Sequence, residues 1–252
     1  MHNPLSVDAV YVLSVQSFND RIIHIRKQLE KHNIPFEFIY AHDIPEIKSE
    51  DLYAIFSSEC TLGLPQKSLV LKHLEAWRHC ITHGYRRILI LEDDVILHSS
   101  FSEKLNLALE AMDNLNAGYL LFLGGADTRV PREYFLEKGL IFKNPIATAD
   151  GYVTDITACE RRVHWINQKK AHLPADHLLK YIDQQCGTQQ YWTTTALVEQ
   201  GSVFGLFTST LDQGRKNNSN TYNLARYRWK IFQRRTLPGW ITRIAYHFFK
   251  IK

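Results

Sequence analysis

The stretch RILILEDD at residues 87–94 sets an unbroken apolar run directly against three carboxylates. An apolar run flanked by helical segments predicts a strand buried on both faces, and hence a sheet covered by helices. The same grammar recurs along the chain. Residues 7–15 (VDAVYVLSV) read as a buried strand, and residues 35–40 alternate as a second one. Between them, residues 18–32 carry Ile22, Ile25 and Leu29 at helical spacing, with Asn19 or Asp20 as the expected cap. Residues 68–83 place Leu71, Leu74, Trp77 and Ile81 on one helical face, and Gly84 ends that helix. Ser100-x-x-Glu103 predicts a capping box opening a helix up to Met112. Residues 119–123 (YLLFL) form another apolar strand, stopped by Gly124-Gly125. Strands near residues 146–149 and 152–156 and a helix over 174–181 complete a less regular second half. Strands alternating with helices predict an α/β fold with a mostly parallel sheet and helices on both faces.

Charge divides the 252 residues into two parts. Asp212 is the last acidic residue, and ten Lys/Arg follow it. The chain before that point holds 20 basic against 26 acidic residues, so the overall net charge of +4 conceals an acidic body and a basic tail. The expected organisation is one domain over residues 1–214 and a basic, aromatic-rich helical tail over 215–252. Within the tail, residues 240–249 put Ile241, Ile244, Ala245 and Phe248 on one side of an amphipathic helix. Basic and apolar residues so interleaved suit an anionic membrane surface better than nucleic acid, because the bulky apolar content exceeds what phosphate tracking needs.

The residues beginning at Met1 lack a signal-peptide pattern, and no run of about 18 apolar residues occurs. The expectation is a cytoplasmic chain, peripheral at the inner face of the inner membrane. Cys60, Cys80, Cys159 and Cys186 are scattered without metal spacing, which predicts reduced thiols.

In an open α/β sheet, ligands bind beyond the carboxyl ends of the strands, where RILILEDD places Glu92, Asp93 and Asp94. Extended alternation projects Glu92 and Asp94 together and Asp93 away. Two carboxylates at one strand end suit a hard cation, Mn²⁺ or Mg²⁺, able to hold a diphosphate leaving group. No phosphate-loop, dinucleotide or nucleophile-elbow motif is present. His79 and His83 have zinc-pair spacing but lack the further ligands of a zinc motif. Tyr191-Trp192 fits a sugar-stacking platform or the core equally well.

Four stretches resemble glycosyltransferase family 25, the lipooligosaccharide galactosyltransferases and their relatives. They are the opening VYVLSVQSFNDRIIHIRKQLEKHNIPFEFIYAHD, then KHLEAW at 72–77, ILILEDDV, and LPADH at 173–177. The segment PQKSLVLKH at 65–73 departs from the family's Gly-Glu-Ile-Gly-Cys-x-x-Ser-His and keeps only its His. The resemblance implies a GT-A-like, Rossmann-type fold and inverting transfer of a hexose, galactose from UDP-galactose, to a lipooligosaccharide acceptor. It implies Glu92 and Asp94 as metal ligands, with Asp94 the direct one. It places Ser14, Arg21, Asp43 and Asp93 along the UDP-sugar. It marks Asp176 as general base, ahead of Asp150 and Asp155, and His73 as a second catalytic residue. Two other readings remain at this point. One is a Mg²⁺-dependent phosphohydrolase or nuclease using the same carboxylates; the other is a non-catalytic membrane- or nucleic-acid-binding module.

Overall fold

The computed structural model describes residues 4–125, 129–131, 133–136, 139–145, 147–207 and 219–249. At its centre lies β3 (Arg87–Glu92), whose side chains from Ile88 to Leu91 are fully buried. The chain reaches it through β1 (Ala9–Leu13), α1 (Asn19–Lys31), β2 (Glu37–Ile39), α2 (Ser49–Ile55) and α3 (Leu64–His83). After β3 come β4 (Val95–Leu97), α4 (Phe101–Met112), β5 (Tyr119–Phe122), β6 (Ile141–Lys143), β7 (Gly151–Asp155) and α5 (Ile156–Lys169). Next are α6 (Ala175–Cys186), β8 (Gln189–Thr193) and β9 (Val198–Gln200). Past the undescribed residues lie α7 (Asn220–Ile231), a π-helical turn (Phe232–Thr236) and α8 (Leu237–Phe249).

Seven strands form one sheet in the order β2-β1-β3-β7-β5-β8-β6, and β4 pairs with β9 apart from it. Five of the seven run one way, while β7 and β6 run against them. The expected mixed α/β fold with a mostly parallel sheet is therefore present. Period-two alternation distributes β1 and β3 between two cores. Tyr11, Leu13, Ile88 and Ile90 meet α3, α5 and α6 on one face, and Val10, Val12, Leu89 and Leu91 meet α1 and α4 on the other. Each such side chain removed from water contributes roughly 1.5–3 kcal/mol before entropy is charged against it.

Several local expectations are corrected. Phe18, not Asn19 or Asp20, is the N-cap of α1 and makes no side-chain cap bond; Asp20 sits instead in the first turn, where the helix dipole favours it. The Ser100–Glu103 capping box does not form, because the Ser100 N–H donates to His98 Nδ1 at 3.0 Å and no side chain caps α4. Residues 147–149 carry no strand, and Ile146 lies outside the described residues. The 174–181 helix continues to Cys186, where Gly187 adopts the left-handed conformation (φ 70°). Gly84 ends α3 in the same conformation, as expected (φ 66°). The four cysteines are free thiols. The 214/215 boundary lies outside the described residues. Among the described residues, no helix is long and apolar enough to cross a membrane.

Candidate active site

Register explains why acidic groups gather at one end of the sheet. The parallel pairing of β1 with β3 sets Leu13 against Glu92, so the next residue on each strand, Ser14 and Asp93, also meet. Ser14 Oγ donates to Asp93 Oδ2 at 2.7 Å. The antiparallel pairing of β7 with β3 sets Gly151 against Leu91, which brings Asp150 opposite Glu92; the Glu92 N–H donates to the Asp150 carbonyl at 2.9 Å. Gly124, at the end of β5, leaves room for the Asp150 carboxylate, since a Cβ there would lie 2.3 Å from Oδ2. Four carboxylates thus converge where three were expected.

The alternation predicted for Glu92, Asp93 and Asp94 does not survive past the strand. The backbone turns after Glu92, and Arg21 Nη1 on α1 reaches both Asp93 (2.9 Å) and Asp94 (4.0 Å). Arg21 is flanked by the rings of Phe18 (5.2 Å) and Phe207 (5.4 Å). The Ser202 N–H points at Asp94 Oδ2 (3.4 Å), while Asp94 Oδ1 is buried and accepts no hydrogen bond among the described residues.

These charges are under-compensated. Glu92 has its pKa raised well above the carboxylate range, first by burial and then by Asp94, Asp150 and Asp93. Asp93 is also raised, because burial outweighs the help of Arg21 and Ser14.

A cavity of about 550 Å³ opens beside this strand end, a size that admits a nucleotide-like ligand. Ser14, Arg21, Asp43, Lys72, Glu92 and Asp93 all line it. Asp43 ties two loops together: Oδ2 accepts the Gln16 N–H at 2.9 Å and Oδ1 accepts Lys72 Nζ at 2.7 Å. Lys72 spends its other two protons on the carbonyls of Tyr40 and Ala41, each at 2.9 Å. Burial lowers the Lys72 pKa, and Asp43 opposes that shift. Lys72 had no role assigned from sequence. Its signal is a lysine in the helical stripe Ser68, Lys72, Ala76, all three of which are buried.

The two expected catalytic residues, His73 and Asp176, are not among the residues that line the cavity. His73 is 1% exposed, packed between Trp77 and Tyr152, with Nδ1 2.8 Å from the Tyr152 hydroxyl. Burial, helped by Arg162, pushes its pKa down to about 3. Asp176 is half-buried in the first turn of α6, outside the cavity lining, and its Oδ1 accepts the His177 N–H at 2.8 Å. Asp155 caps α5 through Ala158 N and also accepts from Gly118 and Tyr119. Trp192 is buried in the core, with Arg235 over its ring.

Among the described residues, no three His, Cys, Asp or Glu side chains are already set around a metal position. The donor set still fits a hard cation. It is all oxygen, it holds a buried carboxylate oxygen without a donor among the described residues, and its like charges raise Glu92. Mg²⁺-type ions are commonly held by one or two carboxylates, with phosphate oxygens and water completing the shell.

The sequence matches the model of glycosyltransferase family 25 (LPS biosynthesis protein) over residues 7–196, which includes every element from β1 to β8. The chain belongs to glycosyltransferase family 25. It is 31% identical over 91 residues to the lipooligosaccharide biosynthesis protein lic2B of Haemophilus influenzae, a match spanning 34% of each chain. Only about a third of that relative is therefore matched. A glycosyltransferase involved in glycosylation of the major capsid of PBCV-1 superposes with a TM-score of 0.39 and 10% identity, covering 86% of this chain and 99% of that one.

Proposed function

We propose that this family 25 chain is an inverting glycosyltransferase of lipopolysaccharide biosynthesis. In this reading it moves a hexose, galactose from UDP-galactose, to a lipooligosaccharide acceptor at the inner face of the inner membrane. The observation that supports it most is the under-compensated carboxylate cluster at the end of β3, beside a 550 Å³ cavity lined by Arg21 and Asp43.

Glu92 and Asp94 would hold Mn²⁺ or Mg²⁺, which when bound supplies positive charge to the diphosphate and so favours its departure. Ser14 and Arg21 fix the Asp93 carboxylate, and Lys72 fixes Asp43, so the donor-side walls are set before the donor arrives. The acceptor hydroxyl oxygen forms the new bond to the anomeric carbon. The old carbon–oxygen bond breaks, its electron pair leaves on the β-phosphate oxygen, and configuration inverts. The hydroxyl proton passes to a carboxylate. Asp150 is the better candidate base, since it faces Glu92 across the strand end and its charge acts on Glu92, whereas Asp176 is not among the carboxylates that do so.

The test is release of UDP from UDP-galactose, with and without Mn²⁺, in wild type, Asp94→Ala, Asp150→Asn and Asp176→Asn. Release that requires both Mn²⁺ and Asp94 supports the donor and the cation together. A larger loss in Asp176→Asn than in Asp150→Asn would return the base to Asp176. No turnover of any UDP-sugar, with Mg²⁺-dependent phosphate release from a phosphoester, would replace the reading with a phosphohydrolase.

A further inference from the structure

The last helix is turned inside out. On α8 the residues facing the body are Gly239 and Thr242, both buried. The large apolar residues face solvent: Leu237 is 38% exposed, Trp240 67%, Ile241 56%, Ile244 43% and Phe248 72%. Their spacing is i, i+3, i+4, i+7, i+11, one continuous helical stripe. A soluble helix packs such a stripe inward, and an apolar face left outward marks an interaction surface.

The stripe continues onto α7. Tyr222 and Trp229 are exposed there, and Trp229 stacks on Phe232 of the π turn (centroids 5.6 Å apart). Tyr, Trp and Phe flanking an apolar stripe suit the headgroup level of a bilayer. Residues 219–249 carry six Lys/Arg and no Asp or Glu. An isologous contact with a second copy would press these cations against one another, whereas an anionic surface complements them.

The two helices are also fixed to the body near the active site. A Cβ on Gly239 would lie 2.7 Å from Phe135 Cδ1, so helix and body are in direct contact. The Arg235 guanidinium covers the Trp192 ring (5.3 Å) and donates to the Gly125 carbonyl (3.5 Å). Trp192 and Gly125 lie toward the carboxyl ends of β8 and β5, the end of the sheet where Glu92 and Asp150 meet.

We infer that α7 and α8 form an in-plane docking surface for an anionic lipid bilayer, holding the mouth of the active site at headgroup level. The inference rests on the proposed transfer to a lipid-linked acceptor for its purpose, but not for its physics. The stripe enters the acyl boundary, and the basic residues meet lipid phosphates.

Vesicle co-sedimentation of the full chain tests it. Wild type should pellet with phosphatidylcholine vesicles doped with phosphatidylglycerol, far less with pure phosphatidylcholine, and less as salt rises. The variant Trp240→Ser/Ile244→Ser/Phe248→Ser should bind the doped vesicles at least about tenfold more weakly. Arg226→Glu/Arg243→Glu should weaken binding comparably and flatten its salt dependence. Unchanged thermal midpoints would show that both variants fold. Wild-type binding that neither variant alters overturns the inference. So does wild type that ignores vesicles but binds single-stranded RNA, or that forms a dimer which the serine variant dissociates. UDP release from the donor is measured in parallel. If it persists in the serine variant while vesicle binding is lost, docking is supported. If wild type releases UDP but never binds vesicles, docking falls and the transferase reading stands. Vesicle binding without any UDP release supports docking and sinks the transferase.

Discussion

Arg162–Asp183 and the turn after β3 are both buried charge, and the fold treats them in opposite ways. Arg162 and Asp183 have no exposed side-chain surface, yet nearly every polar atom is answered. Nε and Nη2 of Arg162 grip the two carboxylate oxygens at 2.7 and 2.9 Å, Nη1 donates to Thr154 Oγ1, and Gln190 donates to Asp183. At the end of β3, four carboxylates converge, Arg21 serves two of them, and Asp94 Oδ1 is left unanswered among the described residues. Such dense pairing in the first case is what a structural charge requires, because one missing partner would cost several kcal/mol. Incomplete pairing in the second stores a demand for positive charge that a ligand can meet. His73 illustrates a third solution, in which a buried ionisable group simply gives up its charge.

That contrast can be broken in four ways. The largest effect is expected for Arg162→Met, which strands Asp183 and should cost roughly 3–5 kcal/mol in denaturant unfolding. A loss under about 1 kcal/mol would mean that the pair is not structural in this sense. Asp94→Asn should lower the rate of UDP release about 100-fold, near 3 kcal/mol, without lowering the thermal midpoint of the metal-free chain. A clear drop in midpoint would place Asp94 with the structural charges instead. Mn²⁺ at about ten times its dissociation constant should stabilise wild type by about 1.4 kcal/mol and leave Asp94→Asn unmoved, as followed by thermal melts.

The smallest effect is acid sensitivity from His73. Its folded pKa lies below the ordinary 6.5, so the unfolded chain takes up the proton first. Stability is full above pH 6.5 and is lost as pH falls toward about 3. Between about pH 7 and pH 5.5 the expected loss is about 1 kcal/mol. His73→Gln should flatten that slope in pH-dependent melts, and an unchanged slope would assign it to other groups.

The same contrast separates what the sequence disclosed from what it hid. Strands β1, β3 and β5 and helices α1 and α4 announce themselves because their buried faces are apolar and regularly spaced, and α3 does so through Leu71, Leu74 and Trp77 although Lys72 and His73 are buried beside them. Helix α5 was missed because its buried face includes Arg162, which interrupts the apolar period. Strand β8 was missed for a similar reason, since Gln190 is buried there in the bond to Asp183. Glu92, Asp93 and Asp94 were visible as a contiguous motif at a strand end. The place of Asp150 in the same cluster depends on the register of an antiparallel strand 60 residues away in sequence, and no local pattern encodes that. His73 and Asp176 came from resemblance alone, and the folded chain keeps both out of the cavity lining.

The reversed direction of β7 has a consequence for how such a chain can change. Each forward strand delivers its following loop to the active end, so an insertion after β3 would displace Asp93 and Asp94 together. β7 instead delivers the segment that precedes it, and residues 147–150 lead into the site from the β7 side of β3. Lengthening or shortening that approach can move Asp150 while the cavity walls, all drawn from residues before 95, stay where they are. One polypeptide thereby carries two independently adjustable inputs to a single cluster of carboxylates.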